Sequence, residues 1–392
     1  MKGFILQFGE KLNAAHKIRE MGYVPLVVHY QKIDCEHFLL ITKEQAINCE
    51  CDISLFKGYS AADIKGIVVC SEYYVELAAA VRELYFPHLP GLTSDQASLV
   101  RDKYRLKQKL IDIGIPCLKF TLLNKPWEEM RGLLGSEFLV KPRRGALTEG
   151  IRKISTQWDW DQWLSENNDL NKFYAEEYIC NPREYCCDTI VVEDNIIAQF
   201  PGEYTVDCLN FRKDKVGIGV NYPGFVNDEA LAQIKEFTRR FVKATGIKNG
   251  FFHTEYFYTD DGWKFGEVGC RLPGAYQLPT ESHIAGCDLL ELYLKCFIVT
   301  ETCTSEDLSL KDKYYGYYIY PVRKGVIRRI RAKFDYPWIV ESEIYITNGD
   351  RIVDTSTHFF AGHVVYKASC NTILNEMSDL VPTLLELEYA DD

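Results

Sequence analysis

Residues 250–274 read GFFHTEYFYTDDGWKFGEVGCRLPG, and this stretch decides the fold prediction. Two runs rich in aromatic and β-prone residues, Phe251 to Tyr258 and Trp263 to Val268, are separated by the turn sequence TDDG at residues 259–262. Such runs around a glycine-containing turn are typical of a β-hairpin. We therefore predict two antiparallel strands joined by a short loop.

Two glutamates of this hairpin are placed to face each other. Glu255 and Glu267 are equally far along the chain from Asp261, so a three-residue loop would pair them across the two strands. His253 and Arg271 share their face if the strand is regular, because side chains alternate with a period of two. Facing carboxylates repel, and a cation such as Mg²⁺ would relieve the repulsion. The alternative is a surface hairpin whose glutamates point into water.

Length and charge limit the class of protein. The chain has 392 residues, of which 47% are hydrophobic, so it can form two or three domains with substantial cores. Its formal net charge is −11, and the sequence contains no long block of lysine and arginine. Nucleic acid and anionic membranes are therefore poor candidates for partners, and a small anionic ligand would need a local basic site.

The N-terminus and the cysteines indicate a cytosolic protein. The opening sequence MKGFILQFGEKLN has too short an apolar run for a signal peptide, and the sequence has no run of about 20 apolar residues that would span a membrane. Fourteen cysteines without a secretory signal are expected to be reduced thiols. Because no CxxC pair occurs, neither a structural zinc site nor a redox pair is predicted.

The first 90 or so residues alternate strands and helices, as in a small α/β domain with a parallel sheet. The predicted elements are the strands Lys2 to Phe8, Tyr23 to Tyr30 and Ile64 to Cys70 and the helices Asn13 to Met21 and Ser71 to Tyr85. The GxGxxG turn is missing from the sequence, so we assign no dinucleotide to this domain.

Further along, two helices and a strand-rich end are predicted. One charged helix runs from about Gln96 to Ile113, and another from Asn227 to Thr245 has a good N-cap. After about residue 300, strands are expected at Tyr314 to Tyr320, Gly325 to Ala332, Trp338 to Thr347 and His363 to Ala368, before a helix from about Asn371. This C-terminal part is expected to pack on the middle part.

A basic loop is a candidate phosphate site. Lys141 ends the strand Phe138 to Lys141, and residues 142–150 (PRRGALTEG) follow before the chain extends again. Glycines such as Gly145 and Gly150 let backbone amides approach phosphate oxygens, and Thr148 adds a hydroxyl. An ordinary basic β-turn has the same composition. Lys103, in the charged helix, would by itself be taken for a solvated lysine.

An acidic strand is a candidate nucleoside site. Phe173 to Ile179 (FYAEEYI) carries Glu176 and Glu177, and Glu184 follows shortly after. Exposed backbone groups of a strand can pair with an adenine, and a nearby carboxylate can bind two ribose hydroxyls. The alternative is an acidic edge strand without a ligand.

Together these segments resemble the ATP-grasp superfamily. The motifs DKYRLKQKLIDIGIP, FLVKPRRGALTEGI, AEEYICNPREY, GFFHTEY and FGEVGCR occur in the order and spacing of that superfamily over about Leu92 to Thr300. The preceding α/β part and the C-terminal segments VRKGVIRRI and FFAGHVVYKASCNTILNEMSDL are similar to its flanking parts. The resemblance implies an ATP-grasp fold of the α/β and α+β class.

The resemblance also implies a domain layout. Residues 1–92 would form an N-terminal α/β (pre-ATP-grasp) domain, and residues 93–300 the ATP-grasp core with a small lid subdomain at about 116–183. Residues 301–392 would form a C-terminal sheet-rich portion that packs on the core.

The resemblance further implies residue roles for ATP and Mg²⁺ or Mn²⁺. Lys103 and Lys141 would contact the phosphates, and the loop with Gly145, Thr148 and Gly150 would close over them. The adenine hinge would consist of Glu176, Glu177 and Ile179, with Glu184 on the ribose and with Glu255 and Glu267 on the metal.

One position departs from the superfamily pattern. Many members carry asparagine two residues after the second metal glutamate, and this chain has Gly269, so we assign no third metal ligand. Arg271, four residues after Glu267, and the triplet His253-Thr254-Glu255 resemble the branch that joins two amino acids into a dipeptide. In that branch Arg271, Lys141 and His253 would be catalytic, although His253 is also consistent with simple packing beside the metal strand.

These features predict an ATP-dependent carboxylate–amine ligase that works through an acylphosphate and releases ADP and phosphate. The alternatives are an ATP-grasp carboxylase, a purine-biosynthesis-type ligase, or a nucleotide-binding regulatory module without turnover. The expected partners are a small carboxylate and a small amine, whose pocket would be lined by residues 202–224 and 272–282. The oligomeric state stays open, with a homodimer as one option.

Overall fold

The computed structural model describes most of the chain with side chains. The described residues are 2–11, 13–32, 36–47, 59–214, 216–222, 229–303, 308, 314–353 and 360–390. Among them, no helix combines the length and the apolar character that a membrane span requires. The predicted N-cap Asn227 and the cysteines Cys49 and Cys51 lie outside the described residues.

The N-terminal sheet is parallel, as predicted. Its four strands have the order β3-β2-β1-β4. They are β1 (Phe4–Phe8), β2 (Val24–His29), β3 (Phe38–Leu40) and β4 (Ile64–Val69), and the helices are α1 (Ala14–Glu20), α2 (Lys43–Ile47) and α3 (Val75–Tyr85). The 3-10 helix Glu72–Tyr74 follows β4 directly, at the edge where the strands end. Ligands of parallel α/β sheets commonly bind along this edge.

The prediction of a single charged helix from Gln96 to Ile113 is wrong. The chain forms two helices, α4 (Ser94–Arg101) and α5 (Lys103–Asp112). Asp102 separates them in an extended conformation (φ −88°, ψ 97°), and its carboxylate accepts hydrogen bonds from two backbone amides of α5. The same carboxylate accepts from the Arg143 guanidinium at 2.6 and 3.0 Å. The break therefore places Lys103 at the start of α5, beside the basic loop.

A small antiparallel sheet carries the basic loop. Its strand order is β5-β8-β6-β7. The strands are β5 (Phe120–Thr121), β6 (Phe138–Pro142), β7 (Arg152–Ile154) and β8 (Phe173–Glu177), and the helices are α6 (Trp127–Leu134) and α7 (Gln157–Glu166). Trp127, Phe138, Trp160 and Trp163 pack between the sheet and the two helices. The loop at 142–151 connects β6 to β7, so it lies between two strands, as the sequence predicts.

The largest sheet has eight antiparallel strands in the order β13-β12-β9-β10-β11-β14-β18-β16. The strands are β9 (Arg183–Val192), β10 (Asn195–Tyr204), β11 (Ile218–Tyr222), β12 (Gly250–Thr259), β13 (Gly262–Cys270), β14 (Tyr314–Tyr320), β16 (Ile339–Ile344) and β18 (Gly362–Ala368). The helices around it are α8 (Cys208–Asp214), α9 (Glu229–Thr245), α10 (Gln277–Ala285), α11 (Leu289–Lys295) and α12 (Asn371–Leu380).

The C-terminal strands are part of this same sheet. Strand β14 pairs with β11, and β18 and β16 continue beyond it. A separate three-stranded sheet in the order β17-β15-β19 completes this end of the chain, with β15 (Gly325–Ala332), β17 (Arg351–Ile352) and β19 (Leu385–Tyr389). The mixed α/β and α+β class is thus confirmed, whereas the domain boundaries stay a prediction.

Candidate active site

The facing glutamates are paired as predicted, but through a different turn. Glu255 of β12 lies opposite Glu267 of β13. Thr259 pairs with Gly262, so the loop has two residues instead of three, and a register shift after Glu255 restores the pairing. Gly266 is the extra residue of this bulge, and a Cβ atom there would lie 2.8 Å from the Phe257 ring. A bulge of this kind twists a strand and re-aims the side chain beside it.

Each of the two glutamates has a cationic neighbour. Lys103 Nζ lies 2.6 Å from Glu267 Oε1 and donates to the Gly145 carbonyl at 2.9 Å. His253 Nε2 lies 3.4 Å from Glu255 Oε1. Burial by itself would raise the pKa of Glu255, but His253, Arg271 and Lys103 lower it. Both carboxylates therefore lie beside positively charged or protonatable side chains.

A buried carboxylate orients His253. Its Nδ1 lies 2.7 Å from Asp188 Oδ1, and Nε2 is 3.2 Å from the Tyr204 hydroxyl. The ring is 4% exposed, and Asp188 is fully buried. Burial would lower the pKa of His253, but Asp188 outweighs it and raises this pKa to about 9. Asp188 therefore fixes the direction of the His253 ring and favours its protonated form. The sequence reasoning missed Asp188, which lies 65 residues away along the chain.

One pocket between the small and the large sheets brings eight of the predicted residues together. These are Lys141, Thr148, Glu176, Glu177, Ile179, Glu184, Glu255 and Glu267. Apolar side chains line the same pocket, namely Leu118, Leu139, Ile151, Leu209 and Phe257. The slot therefore combines polar and charged groups with apolar walls, an arrangement typical of small-molecule sites.

Glu176 is the centre of a buried ionic cluster. Its two oxygens lie 2.6 Å from Lys141 Nζ and 2.7 Å from Lys107 Nζ, and the Tyr174 hydroxyl donates to it at 3.0 Å. Glu176 is 1% exposed and Lys107 is fully buried. Burial opposes ionisation, yet Lys107 and Lys141 lower the pKa of Glu176 to about 2. The carboxylate thus fixes Lys141 at the pocket wall.

Lys107 was missed by the sequence reasoning, although a signal was present. It lies four residues after Lys103 on the face of α5 that also buries Leu106 and Leu110. A lysine on the apolar face of a helix is rarely buried without a partner, so the i, i+4 pair of lysines was an indication of an acidic group nearby.

Glu177 and Ile179 lie on the slot wall where β8 ends. The Glu177 carboxylate accepts from the Lys119 amide at 2.8 Å, and the Glu177 amide donates to the Lys119 carbonyl at 2.9 Å. These bonds tie the end of β8 to the chain before β5. Beyond Glu177 the chain leaves the sheet and follows the pocket through Tyr178 and Ile179.

Glu184 lies on β9, next to Glu255. It is 4% exposed and accepts from the Cys208 amide at 2.7 Å. Ligand atoms of Glu184, Cys208 and Glu255 lie within 4.8 Å of one another. Burial, Glu255 and Asp207 raise the pKa of Glu184 to about 8. This environment favours the protonated carboxyl group, which can both donate and accept hydrogen bonds.

Three residues of the basic loop have left-handed backbone conformations. Leu147, Thr148 and Gly150 have positive φ angles of 56°, 55° and 74°. Thr148 lines the pocket, and its hydroxyl oxygen is buried and has no hydrogen-bond partner within the described protein. A buried hydroxyl without a partner is costly, which points to a polar ligand at this place.

Arg271 lies just beyond the pocket, at the end of β13. Its Nε is 3.1 Å from Glu72 Oε2, and its Nη1 donates to the Leu272 carbonyl at 2.8 Å. Lys11 follows β1 and donates to the Pro273 carbonyl at 2.6 Å. Burial, followed by the charge of Arg271, lowers the pKa of Lys11 to about 7. Neither Glu72 nor Lys11 was singled out from the sequence.

The two predicted substrate segments contact each other. The Tyr222 hydroxyl donates to Glu281 at 3.0 Å, which joins β11 to α10. Residues 223 and 224 of the first predicted segment lie outside the described residues.

Comparison with known proteins places this geometry in a fold family. No family model matches the chain. Over 218 residues the chain is 25% identical to a D-alanine--D-alanine ligase of Limosilactobacillus fermentum, an alignment that covers 52% of this chain and 57% of that ligase. The chain thus spans little more than half the length of this curated relative.

Solved structures match over nearly the whole chain. An L-amino acid ligase from Bacillus licheniformis superimposes with a TM-score of 0.76 at 16% identity, and the match covers 99% of each chain. The chain has the ATP-grasp fold. A phosphoribosylglycinamide synthetase from Anaerococcus prevotii gives a TM-score of 0.73 at 14% identity, covering 99% of this chain and 100% of the other. A biotin carboxylase from Campylobacter jejuni gives a TM-score of 0.66 at 16% identity, and the match covers 98% of this chain and 92% of the other.

For this ATP-grasp chain, likeness at such low identity establishes the fold and leaves the substrates undefined. The similar structures include an amino acid ligase, a purine-type synthetase and a carboxylase. The chemistry must therefore be argued from the residues in the pocket.

Proposed function

We propose that this chain is an ATP-dependent, ADP-forming ligase that joins a carboxylate to an amine through an acylphosphate. The single observation that carries the proposal is the pocket itself. It combines apolar walls with the facing Glu255 and Glu267, with Lys141 and with the unpartnered Thr148 hydroxyl. Apolar walls suit an adenine, and the charged groups suit a triphosphate with its metal.

The residues present fit Mg²⁺ or Mn²⁺ chemically. Glu255 and Glu267 supply carboxylate oxygens from paired positions of one hairpin, and hard divalent cations prefer such ligands together with phosphate oxygens. When bound, the metal supplies charge neutralisation on the phosphates. Lys103 Nζ lies 2.6 Å from Glu267 Oε1, so one of the two carboxylates has a cationic partner within the protein.

The chain's own residues then have distinct tasks. Lys141, held by Glu176, presents a point charge to the phosphates. The amides around Gly145 and Gly150 and the Thr148 hydroxyl surround the same region. Glu184, as a neutral carboxyl group, can donate to one ribose hydroxyl and accept from the other. Preorganised groups of this kind stabilise charge without reorganising during the reaction.

The proposed reaction has two steps. A substrate carboxylate oxygen attacks the γ-phosphorus of ATP, the bond to the β-phosphate oxygen breaks, and ADP leaves. An amine then attacks the acyl carbon, phosphate leaves, and the amine loses a proton to form the amide. Arg271 is placed beyond the phosphate end, where a guanidinium can stabilise charge on the transferring group. His253, fixed by Asp188, orients the same end of the site.

The proposed substrates are small amino acids, which makes the product a dipeptide. The named similarities to a D-alanine--D-alanine ligase and to an L-amino acid ligase support this choice. A purine-type ligase is the second candidate, because the phosphoribosylglycinamide synthetase superimposes almost as well, with a TM-score of 0.73 against 0.76.

A screen of amino-acid pairs for ADP and phosphate release tests the proposal. Release should require both a carboxylate and an amine, and mass spectrometry should show a product lighter than the two substrates by one water. Bicarbonate, or a phosphoribosylamine with glycine, should replace the amino-acid pair if the second candidate is right. ATP turnover that depends on no added carboxylate would contradict the ligase proposal.

A further inference from the structure

The carboxylate of Glu72 lies between two arginines that belong to different parts of the chain. Its Oε1 accepts from Arg101 Nη1 at 2.7 Å, and its Oε2 lies 3.1 Å from Arg271 Nε. Glu72 is 8% exposed, and its side chain comes from the edge of the N-terminal sheet. A carboxylate shared by two guanidinium groups in such a setting is held in one orientation by charge-assisted hydrogen bonds.

Gly269 leaves the space that this carboxylate occupies. A Cβ atom at position 269 would lie 2.9 Å from Glu72 Oε2, closer than side-chain Cβ contacts come. The same atom would lie 3.5 Å from Arg271 Cζ. Any side chain at 269 must therefore displace the Glu72 carboxylate, whereas its distance from Arg271 Cζ is an ordinary contact. Gly269, where many members of the superfamily carry asparagine, thus lies against an acidic residue from another part of the chain.

The second arginine, Arg101, connects Glu72 to the basic loop. Arg101 Nη2 donates to the Arg144 carbonyl at 2.8 Å, and its Nη1 also approaches the Gly145 carbonyl at 3.4 Å. The residue after Glu72 reaches the loop as well, since the Tyr73 hydroxyl donates to Glu149 at 3.0 Å. The edge of the N-terminal sheet therefore contacts both Arg271 and the loop.

We propose that Glu72 is a positioning residue that sets the direction of the Arg271 guanidinium and joins it to the basic loop through Arg101. In this arrangement Gly269 is required, because Glu72 fills the space that a side chain at 269 would need. The role of Arg271 rests on the proposed ligase function, whereas the fit between Glu72 and Gly269 does not. The N-terminal part thus contributes to the active site without contacting the transferred phosphoryl group.

A double-mutant cycle tests this proposal. Glu72→Ala should lower turnover about 100-fold, since a displacement of a catalytic group by about 1 Å can cost that much. The KM for ATP should change little, because the slot and Lys141 are untouched. Gly269→Ala should act through the same contact, so the double variant should lose no more than Glu72→Ala loses by itself.

The control is Glu236→Ala, which removes a carboxylate bound twice to one arginine, Arg239, at 2.7 Å on an exposed helix. It should leave turnover unchanged. Losses in the double variant that equal the product of the two single losses would overturn the proposal, as would parent-like turnover in Glu72→Ala.

A second readout separates this inference from the proposed function. The same cycle is measured as thermal unfolding midpoints, which need no substrate. The midpoint loss of Gly269→Ala should largely disappear in the Glu72→Ala background. Additive midpoints would overturn the fit between the two residues. A parent enzyme that is inactive with every amino-acid pair would instead refute the ligase proposal, and the midpoints would still decide on Glu72 and Gly269.

Discussion

At the scale of single residues, the Glu176 cluster has an asymmetry that mutation can expose. Glu176 neutralises two lysines, so Glu176→Gln leaves both Lys107 and Lys141 without their counter-charge. Breaking a buried pair from one side costs about 3–5 kcal/mol. Lys107→Met removes one lysine and leaves Glu176 paired with Lys141, so it should destabilise less. Urea unfolding of the two variants checks this order, and equal losses would contradict it.

The same carboxylate should make stability depend on pH in acid. The pKa of Glu176 is about 2 in the folded protein, below its ordinary value of 4.5. A depressed pKa contributes stability above the unfolded pKa, and this contribution is lost as the pH falls from about 4.5 towards 2. The loss is on the order of 3 kcal/mol. Unfolding free energies of the parent should fall more steeply below pH 4.5 than those of Glu176→Gln, and parallel curves would refute the assignment.

The facing glutamates give a test of the metal assignment. Glu255→Gln and Glu267→Gln each remove half of the carboxylate charge, so Mg²⁺-dependent turnover should be abolished while the fold survives. Asp261→Asn, in the turn of the same hairpin, is the matched control and should keep parent activity. ADP release measured over a Mg²⁺ titration distinguishes them. Near-parent rates at saturating Mg²⁺ in both glutamine variants would remove the metal from this pair.

Arg271 tests the acylphosphate. Arg271→Lys should still bind ATP and lose most turnover, by about 100 to 1,000-fold, because a point charge does not reproduce a planar guanidinium. Hydroxylamine should trap the activated carboxylate as a hydroxamate in the parent and far less in the variant. Equal trapping would assign Arg271 to the amine step or to structure.

Sequence reasoning at this scale succeeds where partners are near in the chain. The pairing of Glu255 with Glu267 follows from their equal spacing about a turn, even though the loop is one residue shorter than predicted. Lys107, Asp188 and Glu72 were missed because their partners come from other elements, as far as 199 residues away for Glu72 and Arg271. Such contacts depend on tertiary packing, which local periodicity does not encode.

At the scale of elements, the loop between β6 and β7 should respond to nucleotide. Its exposed Arg144 is a trypsin site, with 44% of the side chain accessible. Trypsin should cleave there without ligand and be blocked by ATP with Mg²⁺, because ligands order low-stability loops. Tryptic sites on α9, such as Arg239, serve as the internal control. Cleavage that ATP does not alter would contradict a closing loop.

The break between α4 and α5 shows why one element was mispredicted. A continuous charged pattern favours one helix, but Asp102 satisfies the first amides of α5 and the Arg143 guanidinium together. An aspartate that caps one helix can end the preceding one. The competing contact with Arg143 lies 41 residues away, so the pattern around Asp102 did not reveal it.

At the scale of the whole molecule, ligand binding between two sheets should stabilise the fold. A nucleotide that binds only the folded state adds about 2.7 kcal/mol at 100 times its Kd. The thermal midpoint of the parent should therefore rise with ATP and Mg²⁺ together. Glu267→Gln should keep the rise caused by ATP and lose the part that needs Mg²⁺. An unchanged midpoint in the parent would argue against a nucleotide in this pocket.

The C-terminal strands have a practical consequence. Because β14, β18 and β16 extend the sheet that carries Glu255 and Glu267, a chain shortened before β14 would leave β11 as an unprotected edge. Open hydrogen-bonding groups beside Val220 and Tyr222 would then invite intermolecular strand addition. Expression of residues 1–303 should yield aggregates instead of a smaller working enzyme, so fusion partners and affinity tags belong at the chain ends and never at the start of β14.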